Sequence, residues 1–227
     1  MTAQRESQRA QVLRALFGVL YRNRTLYWLA STIPFAGQWR RWQRLVLPHL
    51  RGTDVLEVGC GLGTLLADMA QAGYRCAAVD RSPQMVAAAR DTLRWRGLPL
   101  DDTPIQQAGV QRLPFPDANF DDVVSTFPTE YIADPRALRE IGRVLRPGGR
   151  LVVVLGAGLL PTRMVLWPLV FIQRLIYGRG AADAGSCLGS RAVRVNVPLE
   201  VGGLTGRVEC VRGPFWVAYL AVAEKPE

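Results

Sequence analysis

The sequence predicts an α/β fold, a mostly parallel β-sheet covered by helices on both faces. Three observations carry that expectation. Short apolar runs of strand length alternate with helical patterns between residues 54 and 155, as in a sheet built with crossover helices. One strand–helix junction, at 59–63, is a glycine-rich turn. The chain is 227 residues long and 49% hydrophobic, enough to bury one full core and too apolar for global disorder.

The elements follow in order. Residues 8–30 place Val12, Leu16, Val19 and Leu20 at near-helical spacing among Arg14, Arg22 and Arg24. A second helix is expected over Gly37–Leu50, with Trp39, Trp42, Leu45 and Val46 toward one side and Arg40, Arg41 and Arg44 toward water. Asp54–Val58 is an apolar run ended by glycines, a buried parallel strand. Thr64–Ala72 reads as a helix closed by Gly73, and Arg75–Val79 as the second strand. Ser82 caps a helix that runs to Arg96, with Pro83 at its first position. Ile105–Ala108 and Phe120–Thr126 are the third and fourth strands. Asp134 caps the next helix, Pro135 opens it, Leu138, Ile141 and Leu145 line its inner face, and Pro147-Gly148-Gly149 stops it. Arg150–Leu155 is the fifth strand; beyond an insert at 156–190, Gly206–Val211 and Phe215–Ala223 form an antiparallel pair, making seven. The whole reads as one domain, 1–227, with basic N-terminal helices at 1–51, a core at 52–155, the insert at 156–190 and C-terminal strands at 191–227.

The glycine-rich turn carries the chemistry. Its spacing is G-x-G-x-G, at Gly59, Gly61 and Gly63, and Thr64 stands where the dinucleotide fingerprint G-x-G-x-x-G needs its last glycine. That argues against a nicotinamide or flavin dinucleotide, whose pyrophosphate requires the helix N-terminus. A ligand without phosphates, with an amino acid end and a nucleoside end, suits the loop better. Asp80, at the end of the second strand, can accept hydrogen bonds from both hydroxyls of a ribose, or cap the turn that follows it. Glu57 is a carboxylate inside an apolar strand, costly to bury alone. It is read as holding the glycine loop through backbone N–H groups, or as meeting a ligand's ammonium through water.

Four motifs stand in order along the chain: VLEVGCGLG at 55–63, VDRSPQMV at 79–86, LPFPDANFDDVVSTF at 113–127 and DPRALREIGRVLRPGGRLVVV at 134–154. Through them, Asp54–Leu155 resembles the class I S-adenosylmethionine-dependent methyltransferases, particularly the small type 11 branch. The resemblance implies a Rossmann-like three-layer sandwich whose seven-stranded, mostly parallel sheet runs 3-2-1-4-5-7-6 with the last strand antiparallel. It implies S-adenosyl-L-methionine as cofactor, with Gly59, Cys60, Gly61 and Gly63 facing its methionine moiety and sugar. Asp80 would hold the ribose, Arg81 and Met85 would flank the adenine, and Thr126 and Phe127 would border the methyl-transfer cavity. Two departures matter. Where the family has Gly-Asp-Ala, whose Asp binds the adenine amino group, this chain has Ala108-Gly109-Val110. The backbone of Gly109 and Val110 is left for the adenine edge, at a loss of about 0.5–1.5 kcal/mol. Where many relatives carry histidines after the fourth strand, Glu130 and Tyr131 stand as candidates to contact substrate, with core packing as the alternative for Tyr131.

A methyl group on a sulfonium is already activated, so such a protein must mainly position the acceptor and exclude water. No residue is identified as a catalytic base, and the sole histidine, His49, is read as structural. The acceptor is expected to be a small molecule or a lipid-like or aromatic compound. Tyr27, Trp28, Phe35, Trp39 and Trp42 with neighbouring arginines would lid the cleft, and Trp167, Phe171 and Ile172 would complete an apolar mouth. The alternative is that these aromatics pack the helices onto the sheet. Residues 1–51 hold nine arginines and one acid, Glu6, and so carry +8 of the chain's +9. Such a block suits peripheral contact with an anionic membrane surface, or else a solvated helical face. Arginines dispersed along apolar helices, and no Asn/Asp-Pro-Pro-Tyr/Phe motif after the fourth strand, argue against a nucleic-acid substrate. A non-catalytic scaffold is the third reading, supported by the missing adenine carboxylate. Four cysteines and one histidine lack metal-ligand spacing, so no metal is expected, and the protein is read as reduced and cytoplasmic. The polar first residues predict no signal peptide, and the nine-residue run Met164–Ile172 is too short to span a bilayer.

Overall fold

The computed structural model describes residues 35, 37–128, 130–160, 167–171 and 197–227. The helix expected over 8–30, with Tyr27 and Trp28, lies outside the described residues, as does most of the insert. Eight strands form one sheet: β1 (Asp54–Val58), β2 (Arg75–Asp80), β3 (Ile105–Gln107), β4 (Phe120–Thr126), β5 (Leu145–Leu159), β6 (Val197–Val201), β7 (Leu204–Arg212) and β8 (Trp216–Glu224). Their order is β3-β2-β1-β4-β5-β8-β7-β6. β1 to β5 pair in parallel, while β8 runs antiparallel to both β5 and β7. The seven expected strands therefore lie in the expected order, and β6 is an additional edge strand. It pairs with β7 across Gly202-Gly203, whose φ angles of +60° and +81° make the two-residue turn that matches strand twist.

Among the described residues the helices α1 (Trp39–Gln43), α2 (Thr64–Gln71), α3 (Pro83–Trp95) and α4 (Pro135–Val144) accompany the strands, and residues 167–171 are also helical. Both expected N-caps are made, Ser82 Oγ accepting from Met85 N–H and Asp134 from Arg136 N–H. The helix expected over 37–50 is shorter: α1 gives way to a 3₁₀ segment, Arg44–His49, because Pro48 has no N–H to donate and disfavours the α conformation at Leu47. α4 ends at Val144, and Leu145 is already extended, since Arg146 precedes Pro147. Pro147-Gly148-Gly149 then forms a bulge inside β5, between the pairs Phe120–Leu145 and Asp122–Arg150. β5 also runs past residue 155, as Gly156–Leu159 pair with Trp216–Tyr219 of β8.

Alternate residues of the strands face opposite layers. Val55, Ala78, Val124 and Val152 pack against Trp42, Val46, α2 and α3 on one side. Leu56, Val79, Val123 and Val153 pack against Leu138, Ile141 and Val144 of α4 on the other. His49 sits at the amino-terminal edge of the sheet, its carbonyl accepting from Arg150 and its ring 3.9 Å from Glu209, well away from the opposite edge where the glycine turn lies.

Candidate active site

The strand order reverses between β1 and β4, and in open α/β sheets ligands bind in the crevice outside the carboxyl ends of the strands at such a point. There the chain turns from β1 into α2 with Gly59, Gly61 and Gly63 at φ +74°, +52° and +69°, left-handed conformations that need glycine. The N–H groups of Gly59 and Cys60 donate to the Val79 carbonyl at 2.8 and 3.2 Å, tying the turn to β2. A side chain on Gly63 would lie 2.7 Å from Cβ of Ala89, so α2 and α3 approach only because that atom is missing. Cys60 is buried, and burial together with the neighbouring Glu57 carboxyl pushes its thiol well above the usual range. It serves the loop by its backbone, its N–H bonding Val79 and its carbonyl accepting from Gly63.

Asp80 ends β2 with one oxygen accepting the Gly61 N–H at 2.9 Å and the other the Ser82 N–H at 2.8 Å. Burial raises its pKa, and those two N–H groups pull against it. The side chain is partly exposed, and each carboxylate oxygen keeps a second lone pair, so capping and accepting two further hydroxyls are compatible roles. Glu57 is different. It is fully buried, no side chain or glycine-loop N–H bonds its carboxyl oxygens, and the backbone N–H of Leu66 in α2 is the donor turned toward it. The hydrogen bonds expected from the glycine loop are not made, because the N–H groups of Gly59 and Cys60 go to Val79, that of Gly61 to Asp80 and that of Gly63 to the Cys60 carbonyl. Burial pushes the Glu57 carboxyl well above the usual carboxylate range, and the Asp80 charge pushes the same way. The Leu66 N–H pulls the other way, and a buried carboxyl beside a glycine turn with no cation near it fits a cationic group brought by a ligand.

The neighbouring candidates converge on the same end of the sheet. Arg81 is exposed just past Asp80, and Met85 is buried behind the first turn of α3. Ala108 N–H donates to the Asp80 carbonyl at 3.1 Å, bringing the 108–110 loop against β2. The Val110 side chain lies in the α4-side core, so it can serve a cleft only through its backbone, as can Gly109 beside it.

Across the crevice, Thr126 ends β4 and Phe127 follows at φ +52°, a conformation rare outside glycine and concentrated at functional sites. Its N–H is held by the Val154 carbonyl at 2.8 Å. The Phe127 ring stacks on Trp39, centroids 4.1 Å apart and planes at 24°. Trp42, by contrast, is fully buried and meets Phe35, Phe127 and Trp216 edge-on. Phe35 and Trp42 are buried in the core, while Trp39 and Phe127, partly buried, pack against that core, Trp39 also meeting Phe35, and keep the outer part of their stacked pair as an aromatic wall. Tyr131 bonds Ser125 Oγ at 2.9 Å and donates to the Val58 carbonyl at 3.4 Å. A side chain on Gly59 would meet its hydroxyl at 2.5 Å, so Tyr131 packs over the glycine turn and ties β4 to β1. Glu130 opens a 3₁₀ turn, Glu130–Ala133, and its side chain lies outside the described residues.

Two features were missed in the sequence. Gln43 is buried and bridges the site, its Nε2 donating to Thr126 Oγ1 at 3.3 Å and its Oε1 accepting from Thr64 Oγ1 at 3.0 Å. The available clue was a polar residue on the stripe of Trp39 and Trp42, at spacing i, i+3, i+4. Asp68 of α2 gathers Arg40 and Arg44, each at 2.7 Å, and Arg96 at 2.5 Å. Arg40 and Arg44, expected to face water, are half-exposed but bound to that carboxylate. Burial works against its charge, yet the hydrogen bonds from Arg44 and Arg96 hold Asp68 below the usual aspartate range.

A glycine turn at the switch point, facing an acid at the end of β2, defines a Rossmann-like nucleoside-binding domain. Residues 56–153 match the family model described as a methyltransferase domain. A demethylmenaquinone methyltransferase of Symbiobacterium thermophilum is 37% identical over 153 residues, which cover 64% of this chain and 59% of that protein. The chain spans little more than half the length of the curated relatives it matches. A Methanococcus maripaludis protein assigned to the S-adenosyl-L-methionine-dependent methyltransferases superposes with a TM-score of 0.58 at 18% identity, covering 87% of this chain and 89% of that one. The fold is shared with the [4+2]-cyclase SpnF, at a TM-score of 0.50, 19% identity and coverage of 82% and 80%. The likeness to the S-adenosylmethionine-dependent methyltransferases of the type 11 branch thus rests on residues 56–153 and on the fold around them.

Proposed function

We propose that this chain transfers a methyl group from S-adenosylmethionine to a lipid-like aromatic acceptor of the quinol type. The observation that supports this most is the pair of acids flanking the glycine turn: Asp80 with acceptor capacity to spare, and Glu57 buried in β1 with no cationic partner among the described residues. Together they match a ligand with ribose hydroxyls at one end and an ammonium at the other. In this reading Gly59, Cys60, Gly61 and Gly63 line the methionine moiety and sugar, Asp80 accepts the ribose hydroxyls, and Glu57 faces the ammonium. Arg81 and Met85 flank the adenine, whose edge meets the backbone of Gly109 and Val110. Thr126 and Phe127 border the methyl-transfer cavity, and Tyr27 and Glu130 are candidates to contact the acceptor. The bound cofactor supplies a methyl already activated on sulfur; the protein orients the acceptor and keeps water out.

The stacked Trp39–Phe127 wall suits a planar ring, and the relatives named demethylmenaquinone methyltransferases support a quinol as that ring. Trp167 and Phe171, 63% and 69% exposed and four residues apart on one helical stripe, support peripheral contact with a membrane that carries such an acceptor. The +8 charge of residues 1–51 favours an anionic surface.

Thermal unfolding with S-adenosylhomocysteine, and separately with NADH, tests the cofactor. A ligand at a hundred times its dissociation constant stabilises by about 2.7 kcal/mol, enough for a clear rise in Tm. The expected result is a rise with S-adenosylhomocysteine alone, lost in Asp80→Ala. No rise at millimolar concentration would hand the lead to a non-catalytic scaffold. The acceptor is tested by incubating the protein with S-adenosylmethionine and reduced demethylmenaquinone in detergent, with the methylated product read by mass spectrometry.

A further inference from the structure

α1 is anchored on both sides of the switch-point crevice. Toward α2, Arg40 and Arg44 hold Asp68 and Gln43 holds Thr64; toward the β4 tip, Trp39 stacks on Phe127 and Gln43 bonds Thr126. Gln43 alone of these side chains reaches both walls. Thr64 directly follows the last glycine of the turn, and Thr126 directly precedes Phe127, the residue held at positive φ. A primary amide is the group suited to this bridge, since it donates at one end and accepts at the other while remaining uncharged at a site only 8% exposed. A hydrocarbon there would leave the two threonine hydroxyls without this partner, and a shorter side chain would not span them.

We propose that Gln43 is a positioning residue for methyl transfer: by bonding Thr126 and Thr64 it fixes the Trp39–Phe127 acceptor wall against the glycine-turn helix that carries the methyl donor. The inference rests on the methyltransferase reading above. It gives the bridge a consequence separate from folding, because the wall and the donor loop belong to different halves of the sheet. Their relative placement sets the line of attack. Misplacement of reacting atoms by about 1 Å can cost about 100-fold in rate.

The test compares wild type, Gln43→Leu, Thr126→Val, the double variant and Thr126→Ser. It uses turnover of reduced demethylmenaquinone and titration with S-adenosylhomocysteine, with Tm recorded for each variant. Gln43→Leu and Thr126→Val should each lower kcat by about 10- to 100-fold, with acceptor KM and S-adenosylhomocysteine Kd within about threefold of wild type. The double variant should be no slower than the worse single variant, since both cut one connection, and Thr126→Ser, which keeps the hydroxyl, should recover most of the kcat that Thr126→Val loses. An active wild type with unchanged kcat in either single variant overturns the inference, as do losses that multiply in the double variant. A fall in Tm with kcat intact assigns Gln43 to folding alone and overturns it too. A wild type that binds S-adenosylhomocysteine but does not turn over demethylmenaquinone removes the proposed acceptor, and the inference falls with it. If Gln43→Leu does not fold, Thr126→Val against Thr126→Ser carries the same test.

Discussion

A carboxyl sealed inside a strand and a carboxyl gripped by arginine respond to pH in opposite senses, and this molecule has both. Burial raises the Glu57 pKa well above its ordinary value. The folded state therefore binds that proton more tightly than the unfolded chain does. The stability gained is complete below the unfolded glutamate value of about 4.3 and is lost as pH rises toward the folded one. Thermal unfolding across pH should accordingly show a Tm that declines as pH rises above the ordinary glutamate range, and a flatter profile in Glu57→Gln. If a ligand ammonium settles beside Glu57, it favours the ionised form, and binding releases a proton. Calorimetry of S-adenosylhomocysteine binding in two buffers of different ionisation enthalpy should then show proton release in the wild type and none in Glu57→Gln. Asp54 is the contrasting case, drawn down to about 2 chiefly by the hydrogen bond from Arg75. Its contribution is present above the ordinary aspartate range and lost as pH falls through about 2. Glu57 and Asp80 were both legible in the sequence, as acids in places where acids are costly. Whether Glu57 had partners was not legible, because that depends on which way the loop N–H groups turn.

The glycine turn and the α1 segment give the tests at the level of elements. Gly63→Ala places a methyl within 2.8 Å of both Cα and Cβ of Ala89 at a positive φ. It should destabilise by about 1–3 kcal/mol, read from urea unfolding, with α2 and α3 pushed apart. Asp68→Ala removes the carboxylate shared by three arginines and leaves their charges to repel one another. Amide hydrogen exchange should accelerate over Trp39–His49, with little change in β1 or β4. Most elements were readable because their information is local. Ser82 and Pro83, Asp134 and Pro135, and Gly73 mark helix ends by chemistry that acts within a few residues. β6 was missed although Gly202-Gly203 between apolar residues is a hairpin marker. The extension of β5 to Leu159 was not locally encoded at all; it follows from the nine-residue length of β8, sixty residues further on.

For the molecule as a whole, the sequence disclosed the cleft and its cofactor class more fully than its outer wall. The glycine turn, Asp80 and the strand order belong to one continuous stretch. Gln43, Trp39 and Thr126 meet only through contacts made across more than eighty residues. The charge distribution and the exposed aromatics belong to this scale too. Sedimentation with vesicles should show binding to phosphatidylglycerol-containing membranes and little to phosphatidylcholine alone, weakening with salt on the scale of a Debye length of about 8 Å at 0.15 M. Trp167→Ser with Phe171→Ser should reduce the binding at every salt concentration, while S-adenosylhomocysteine affinity stays the same. Equal binding to both vesicle types would point to hydrophobic attachment without a role for the arginine block.

The sheet order also has a consequence for the chain as it is made. β8 is the last of the eight strands in sequence, yet it lies between β5 and β7. On a ribosome, β1 to β5 can assemble as their residues emerge, but the β6–β7 hairpin then has no strand to join. Until Trp216–Glu224 is complete, β5 presents an unpaired edge along Arg150–Leu159, an invitation to pair with the wrong neighbour. β8 is therefore a keystone: the growing sheet has a gap in it until this strand is made and enters between β5 and β7.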